Sequence, residues 1–299
     1  MSKPVFEGSA VAIVTPFNEK GVDFVKLEKM VEFHIKNKTD AIVVCGSTGE
    51  ASTMPDEEHL ATIKCVIDAV NHRIPVIAGT GSNDTRHGVE LTKAAAKMGA
   101  DAVLLVTPYY NKCTPEGLVR HYAEHAANCD CPIILYNVPS RTNVNISAKV
   151  LERLADYDNI VGIKECNFGQ VPDILSVCGD RYSLYSGEDA LAVPLASLGG
   201  KGVISVAANI LPEFVSTMMH AALNGDFKTA SKMQVELVPL INSMFFEVNP
   251  IPVKTALNIL GLDVGPCRLP LCEMTPALAE KMTDIINTYD ISAIKNYFA

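Results

Sequence analysis

The sequence has no surplus of basic residues: 25 lysines and arginines stand against 34 aspartates and glutamates, so its 299 residues carry a net charge of −9. A nucleic-acid partner would usually require a basic face, so the charge balance argues against that class. It favours a protein that stays dispersed in a cytoplasm. No apolar run approaches the roughly 20 residues of a membrane span. The first 17 residues have no charged stretch followed by an apolar one, so we expect neither a membrane anchor nor a signal peptide.

The cysteines lack the even number and regular spacing of a disulfide framework. There are nine, scattered along the chain, and a chain of this size does not need disulfides, so we expect reduced thiols. One cluster could be drawn as a zinc site: His121, His125, Cys129 and Cys131. The two histidines follow an amphipathic helical pattern, and a Cys-x-Cys pair is unusual for structural zinc, so we predict no metal.

Eight short apolar runs alternate with longer segments of helical periodicity. The runs are nearly continuous and rich in Val and Ile, which is typical of parallel strands buried on both faces. Strand–helix repetition eight times over predicts an α/β fold, a closed (β/α)8 TIM barrel. An open doubly wound sheet is the alternative, but Thr15–Phe17 after the first run is not a glycine-rich phosphate turn. The predicted strands are Val11–Thr15, Ala41–Cys45, Pro75–Gly79, Ala102–Thr107, Ile133–Tyr136, Ile160–Lys164, Tyr182–Ser186 and Gly202–Val206.

Strand signals stop after about residue 208, and the rest of the chain is predicted to be helical. The helical stretches are 212–224, 226–246, 250–260 and 276–288. We predict a catalytic barrel over residues 1–224 and a C-terminal helical extension over residues 225–299. No low-complexity linker separates the two, so we expect the extension to pack on the barrel.

Reactive groups of such barrels gather at the C-terminal ends of the strands, and the sixth run ends in Lys164. Side chains alternate along a strand, so Lys164 shares a face with Gly162 and Ile160, and Glu165 points the other way. An inward-facing lysine loses solvation, which lowers its pKa and releases a neutral amine. Such an amine attacks a ketone to give an iminium. A lysine that merely reaches to solvent at the strand end is the structural alternative.

The neighbouring strand and the second strand end supply further polar groups. Tyr136 ends the fifth run, about 4.8 Å from the sixth strand, and its phenol is a plausible proton shuttle, although it could simply pack. The second run ends in a turn, Gly46–Glu50, where Ser47 and Thr48 lie between two glycines. Backbone N–H groups and hydroxyls in such a turn suit a carboxylate, but the pattern also makes an ordinary loop.

Together these motifs resemble the dihydrodipicolinate synthase / N-acetylneuraminate lyase family. The resemblance covers almost the whole chain, and several long motifs occur in the right order. They are Ala12–Phe17, Gly46–Glu50, Val106–Tyr110, Tyr136–Thr142, Gly162–Glu165, Gly202–Ser205 and Asn249–Lys254.

The resemblance implies a role for each matched residue. Lys164 would form a Schiff base with pyruvate, so no other cofactor would be needed, and Tyr136 would be the proton donor and acceptor. In the synthase branch Ser47 and Tyr110 would complete a proton relay, with Tyr110 reaching in from a neighbouring subunit. Thr48 would hold the pyruvate carboxylate, with Gly187 and Ile204 lining the pocket. The resemblance implies a homo-oligomer, commonly a homotetramer built as a dimer of dimers.

Arg141 favours the synthase branch of the family, which condenses pyruvate with L-aspartate 4-semialdehyde in lysine and diaminopimelate biosynthesis. A guanidinium at the site entrance could pair with the carboxylate of that aldehyde, whereas a sialic-acid lyase does not need it. The structural alternative is an ordinary salt bridge. Ser47 favours the lyase branch instead, because the synthases usually have threonine at this position and the lyases often have serine. A lyase of N-acetylneuraminate or 2-keto-3-deoxy sugar acids is therefore the first rival, and a non-catalytic binding barrel is the second.

Some synthases of the family are inhibited by lysine at a dimer interface. The family pattern has a glutamate there that pairs with the amine of the inhibitor, and His87 takes its place in this chain. Ala51 and Asp56 also differ from the lysine-sensitive pattern, whereas Asn83 and His59 remain. We predict weak or absent inhibition by lysine.

Overall fold

Eight parallel strands close into a barrel in the computed structural model, which describes residues 3–298. Strands that follow one another along the chain are neighbours in the barrel, and the last pairs with the first. The predicted α/β (β/α)8 barrel is therefore confirmed. The strands are β1 (Gly8–Ala12), β2 (Ala41–Val44), β3 (Val76–Gly79), β4 (Ala102–Val106), β5 (Ile133–Asn137), β6 (Ile160–Glu165), β7 (Ser183–Ser186) and β8 (Gly202–Ser205).

Helices follow the strands and form the outer layer. A short hairpin, Phe17–Asn18 with Gly21–Val22, comes before the first helix. The helices are α1 (Phe24–Lys36), α2 (Asp56–Val70), α3 (Thr85–Met98), α4 (Pro115–Ala127), α5 (Pro139–Thr142), α6 (Ala148–Leu154), α7 (Val171–Cys178), α8 (Ala192–Ser197), α9 (Pro212–Leu223), α10 (Phe227–Ser243), α11 (Ile251–Ile259), α12 (Pro276–Ile286) and α13 (Ser292–Phe298). No helix within residues 3–298 combines the length and the apolar character needed to cross a membrane.

The strands are mostly apolar because both of their faces are buried. Side chains that point outward pack with the helices in one large cluster. Side chains that point inward form a smaller cluster that fills the barrel, with Ile77, Leu104, Ile134, Tyr185 and Ile204 among its members. This division reflects the alternation of side chains along each strand.

The first strand lies three residues earlier than predicted, at Gly8–Ala12 instead of Val11–Thr15. Ala10 and Ala12 share the inner cluster with Phe6 and Tyr185, whose rings stack with centroids 4.4 Å apart, and a Cβ on Gly8 would collide with the Asp40 carboxylate. A Cβ on Gly202, the partner of Gly8, would lie 3.0 Å from the Phe6 ring. Packing against large neighbours therefore selects small residues here and overrides their low β-propensity.

Alternation along β6 fails at one position. Ile133 pairs with Ile160, but Ile134 pairs with Gly162, so β6 carries one extra residue between them. This irregularity places Ile160 in the outer cluster, and the prediction that Ile160 shares the face of Lys164 was wrong. From Gly162 onward the alternation holds.

The predicted C-terminal helices are present as α9 to α12, with bounds that differ by a few residues, and α13 was missed. Helix α10 contacts α8, α9 and α12, and α11 contacts α12. The last helices therefore pack on one another and on the barrel, as predicted. The division between residues 224 and 225 stays a prediction.

The residues considered for zinc lie in and after α4, on the outside of the barrel. His121 Nδ1 is 2.9 Å from the Thr85 hydroxyl, and His125 Nδ1 is 3.3 Å from that of Thr92. Burial lowers the pKa of His121 to about 4 and that of His125 to about 3, so both rings are neutral. No group of three or more potential ligands in residues 3–298 is arranged to hold a metal ion.

Candidate active site

Lys164 and Tyr136 face each other at the C-terminal ends of β6 and β5. The two residues are direct partners in the strand pairing, and Lys164 Nζ lies 4.4 Å from the centroid of the Tyr136 ring. Each is only 7% exposed. Both side chains line a cavity of about 540 Å³, which also contains Ser47, Thr48 and Arg141. The pairing predicted between these two strand ends is therefore present.

Burial dominates the electrostatics of Lys164. Desolvation lowers the pKa of its amine, and Arg141 lowers it further, whereas Glu188 and Asp189 raise it. Asp189 accepts hydrogen bonds from the backbone N–H groups of Val206 and Ala207, so much of its charge is already compensated. The net effect is a lowered pKa, which increases the fraction of Lys164 in the neutral, nucleophilic form.

Glu165 points away from the cavity, as the alternation predicts, and is held by amides. Its side chain accepts hydrogen bonds from Asn137 Nδ2 at 2.8 Å, from Gln170 Nε2 at 2.7 Å and from the Asn167 N–H at 2.6 Å. Burial nevertheless raises the pKa of Glu165 to about 7. This network fixes the end of β6 and hence the backbone that carries Lys164. It joins the end of β5 to the connection that follows β6, and the periodicity of the sequence does not reveal such contacts.

Gly187 gives the Lys164 side chain the space it needs. A Cβ at this position would lie 2.3 Å from Cys166 Sγ and 3.1 Å from Lys164 Cε. Gly187 lines the cavity, in agreement with its predicted place. Ile204, predicted as a second lining residue, is buried in the inner cluster of the barrel, and Val206, two residues later, reaches the cavity wall.

The Gly46–Glu50 turn brings two hydroxyls to the same cavity. Two backbone hydrogen bonds close the turn. The Gly49 N–H donates to the Gly46 carbonyl, and the Glu50 N–H donates to the Ser47 carbonyl. Burial raises the pKa of Tyr136, and a hydrogen bond with the Ser47 hydroxyl opposes that shift. The phenol therefore stays protonated at neutral pH and has a hydroxyl partner beside it.

Tyr110 is the one predicted catalytic residue that a single chain does not bring to the cavity. Its side chain is 92% exposed, whereas Tyr136 is buried. Its backbone lies in the left-handed region, with φ of 67°, a conformation that is uncommon for a bulky residue. The loop therefore presents this ring outward.

Asn249, to which the sequence pattern assigns no role of its own, joins Thr48 to Arg141. The side-chain Nδ2 of Asn249 donates to Thr48 Oγ1 at 2.9 Å. The backbone carbonyl of Asn249 accepts from Arg141 Nη2 at 3.1 Å. Asn249 opens the Asn249–Lys254 motif, so its motif was visible in the sequence, but its contacts with residues far along the chain were not. Glu188 and Cys166, also missed, line the cavity beside Lys164.

A buried ion pair ties the same segment to the Gly46–Glu50 turn. Lys254 Nζ donates to Glu50 Oε1 at 2.8 Å and to the Pro266 carbonyl at 2.7 Å, and the two charged side chains are 2% and 1% exposed. The other Glu50 oxygen accepts from the Arg268 N–H at 2.9 Å. The C-terminal segment thus holds the end of the turn that carries Ser47 and Thr48.

Replacing Lys254 with Met should lower the free energy of unfolding by about 3–5 kcal/mol, because it leaves the Glu50 carboxylate buried without its cation. Denaturant unfolding measures the loss. Lys38, whose ion pair with Glu213 is exposed, is the matched control, and Lys38→Met should change stability by less than about 1 kcal/mol. Equal effects of the two substitutions would contradict the assignment.

The fold and the site together define a class: a (β/α)8-barrel enzyme with a buried lysine and a tyrosine facing one cavity at the C-terminal ends of the strands. Residues 5–289 match the model of the dihydrodipicolinate synthetase family. The chain belongs to this family. It is 52% identical over 291 residues to the 4-hydroxy-tetrahydrodipicolinate synthase of Acetivibrio thermocellus, with 97% of this chain and all of that protein covered.

Solved structures agree in fold over nearly the whole chain. A dihydrodipicolinate synthase from Acinetobacter baumannii, described as chloride-inhibited and complexed with pyruvate, is 46% identical with a TM-score of 0.93, covering 95% of this chain and 99% of its own. Another, described as a monomeric dihydrodipicolinate synthase variant, is 37% identical with a TM-score of 0.92, covering 95% and 96%.

Proposed function

We propose that this protein catalyses the condensation of pyruvate with L-aspartate 4-semialdehyde, the reaction of a 4-hydroxy-tetrahydrodipicolinate synthase in lysine and diaminopimelate biosynthesis. The observation that carries the proposal is the buried Lys164 facing Tyr136 in the cavity. The strong similarity to synthases over almost the full chain supports the choice of reaction.

The chemistry begins at Lys164 Nζ. Its lone pair attacks the C2 carbonyl carbon of pyruvate, and loss of water from the carbinolamine gives an iminium. The iminium acidifies C3, the Tyr136 phenolate left by the dehydration step takes one C3 proton, and the resulting enamine attacks the aldehyde carbon of the second substrate. No metal or other cofactor is required, because the iminium itself is the electron sink.

Tyr136 is placed to move the protons. Its phenol lies beside Lys164 and next to Ser47, so it can protonate the departing hydroxyl of the carbinolamine and the alkoxide of the aldol step. Ser47 of the same chain and Tyr110 of the partner subunit extend this proton path to a relay. A homo-oligomer, of which the homotetramer is our prediction, would place the exposed Tyr110 ring against a second chain. A cytoplasmic location also stays a prediction.

The carboxylate sites are divided between Thr48 and Arg141. Thr48 is buried beside the lysine and binds the pyruvate carboxylate, with Gly187 and Val206 lining the pocket and Ile204 packed in the inner cluster of the barrel. Arg141 lies at the exposed side of the cavity, where its guanidinium can bind the carboxylate of the aldehyde.

Substituting Arg141 with Met should raise KM for L-aspartate 4-semialdehyde by about ten- to a hundredfold, the value of a hydrogen bond to a charged group. The KM for pyruvate should change little, and steady-state kinetics with each substrate varied in turn separate the two. The exposed Arg86, paired with Glu90 on α3, provides a control substitution to Met. A loss of pyruvate affinity equal to that of the aldehyde would count against the role of Arg141.

A coupled assay distinguishes the proposed reaction from its rivals. Turnover of pyruvate with L-aspartate 4-semialdehyde, and negligible cleavage of N-acetylneuraminate or 2-keto-3-deoxy sugar acids, supports the synthase. The reverse pattern would establish the lyase that Ser47 leaves open. Absence of both activities would favour a non-catalytic binding barrel.

Inhibition by lysine should be weak or absent, because His87 occupies the place of the glutamate that would pair with the inhibitor's amine. In the structure His87 Nε2 lies 2.9 Å from Asp56 Oδ1, so its ring already has a partner. Initial rates with added L-lysine measure the effect. Half-inhibition at sub-millimolar lysine would contradict the prediction.

A further inference from the structure

Asn249 lies in the wall of the cavity, although it comes from the segment before α11 and not from the barrel. Its side chain is 5% exposed and Thr48 is 3% exposed. Both residues line the cavity that contains Lys164. The 2.9 Å bond between Asn249 Nδ2 and Thr48 Oγ1 is therefore shielded from water, which makes its direction matter to any ligand bound there.

The chemistry of the two groups fixes the direction of that bond. An amide nitrogen has only protons to give, whereas a hydroxyl has one proton and two lone pairs. Thr48 Oγ1 must therefore accept from Asn249, and its own proton remains available for another acceptor. A carboxylate oxygen in the cavity would be such an acceptor.

A second observation indicates that this amide serves the site more than the fold. Asn249 Oδ1 is buried and has no hydrogen-bond partner among residues 3–298. An unpaired buried carbonyl oxygen destabilises the folded state, so an apolar side chain would fill the space with less penalty. The amide is nevertheless present, and its nitrogen is directed at Thr48.

We propose that Asn249 is a positioning residue that orients the Thr48 hydroxyl so that its proton points at the carboxylate of the bound 2-oxo acid. This inference rests on the proposed function, in which Thr48 binds that carboxylate. It assigns to the C-terminal segment a part in substrate recognition, because the donor that sets the polarity of Thr48 comes from outside the barrel.

The segment is anchored firmly enough to hold the donor in place. The backbone carbonyl of Asn249 accepts a hydrogen bond from Arg141 Nη2 at 3.1 Å, and five residues later Lys254 forms its buried ion pair with Glu50. The turn that carries Thr48 is thus contacted by the C-terminal segment at two points, Thr48 itself and Glu50.

The test compares Asn249→Asp with Asn249→Ala. The pyruvate concentration that half-saturates borohydride trapping is measured by intact mass. Aspartate has the size of asparagine but accepts the Thr48 proton, so it should raise that concentration by about ten- to a hundredfold. Alanine leaves the proton free and should raise it by less. A residue that only filled space would give the opposite order, and that order, or no effect of aspartate, would overturn the proposal.

Acetone, a ketone without a carboxylate, is the matched probe. Trapping of acetone by Asn249→Asp should stay within about twofold of the unsubstituted protein, since Thr48 has no carboxylate to bind. An equal loss with acetone and pyruvate would show that Asn249 acts on the environment of Lys164 instead, and would overturn the proposal.

A Thr48→Val background tests whether Asn249 acts through Thr48. In that background Asn249→Ala should have little further effect on pyruvate trapping, and additive effects would contradict the inference. This cycle remains decisive if thermal unfolding shows that Asn249→Asp does not fold. If the unsubstituted protein fails to trap pyruvate on Lys164, the proposed function itself fails. If it traps normally and Asn249→Asp does the same, only the inference fails.

Discussion

Lys164→Arg should lower kcat by about a thousandfold or more, the scale of losses seen when an enzyme loses its nucleophile. A guanidinium keeps the positive charge and much of the length of lysine, but its pKa above about 12 leaves no neutral nitrogen to attack a ketone. The effect therefore isolates nucleophilicity from charge. Steady-state rates with both substrates at saturation measure it.

Lys201→Arg is the control for this substitution. Lys201 precedes β8 at the opposite end of the barrel, and its side chain is partly exposed. Lys201 Nζ lies 3.4 Å from Glu7 Oε1. The same exchange there should leave kcat within about twofold of the unsubstituted protein, as expected of a surface position. A Lys164→Arg protein that keeps a tenth or more of the activity would refute the assigned nucleophile.

Tyr136→Phe should lower kcat by about a hundred- to ten-thousandfold, the usual value of a positioned general acid–base group. The ring that lies 4.4 Å from Lys164 Nζ is retained, so the cavity keeps its shape and only the phenolic proton is lost. KM for pyruvate should change much less than kcat. Full steady-state kinetics separate the two parameters.

Tyr182→Phe provides the matched control on the outer side of the barrel. The Tyr182 hydroxyl donates to the Leu151 carbonyl at 2.7 Å, in the outer cluster. Its removal should cost about 1 kcal/mol of stability and leave kcat nearly unchanged. If the two tyrosine substitutions reduced kcat equally, the losses would reflect packing, and Tyr136 would not be the proton shuttle.

The barrel could be predicted from the sequence because its strands are short apolar runs, each buried on both faces and separated by a helix. Lys164 stood out for the same reason: a cation at the end of such a run conflicts with its surroundings. The ends of the strands were predicted less accurately than their existence. Gly8–Ala12, for example, forms a strand because of contacts with Phe6 and Tyr185 that local β-propensity does not reflect. The extra residue in β6 was equally invisible, because it depends on pairing with β5.

The parts of the site that escaped prediction are contacts between distant segments. Asn249 reaches Thr48 across 201 positions of the chain, and Lys254 reaches Glu50 across 204. Neither pairing follows from periodicity or spacing. Tyr110 presents a different problem, because its exposed ring needs a second chain before its proposed role can be exercised.

Capture of pyruvate by the Lys164 amine can be detected by borohydride reduction in the presence of pyruvate, followed by digestion and mass spectrometry. We expect a single reduced adduct, on the peptide that carries Lys164, and none when borohydride is added without pyruvate. No adduct, or an adduct on another lysine such as the buried Lys254, would contradict it.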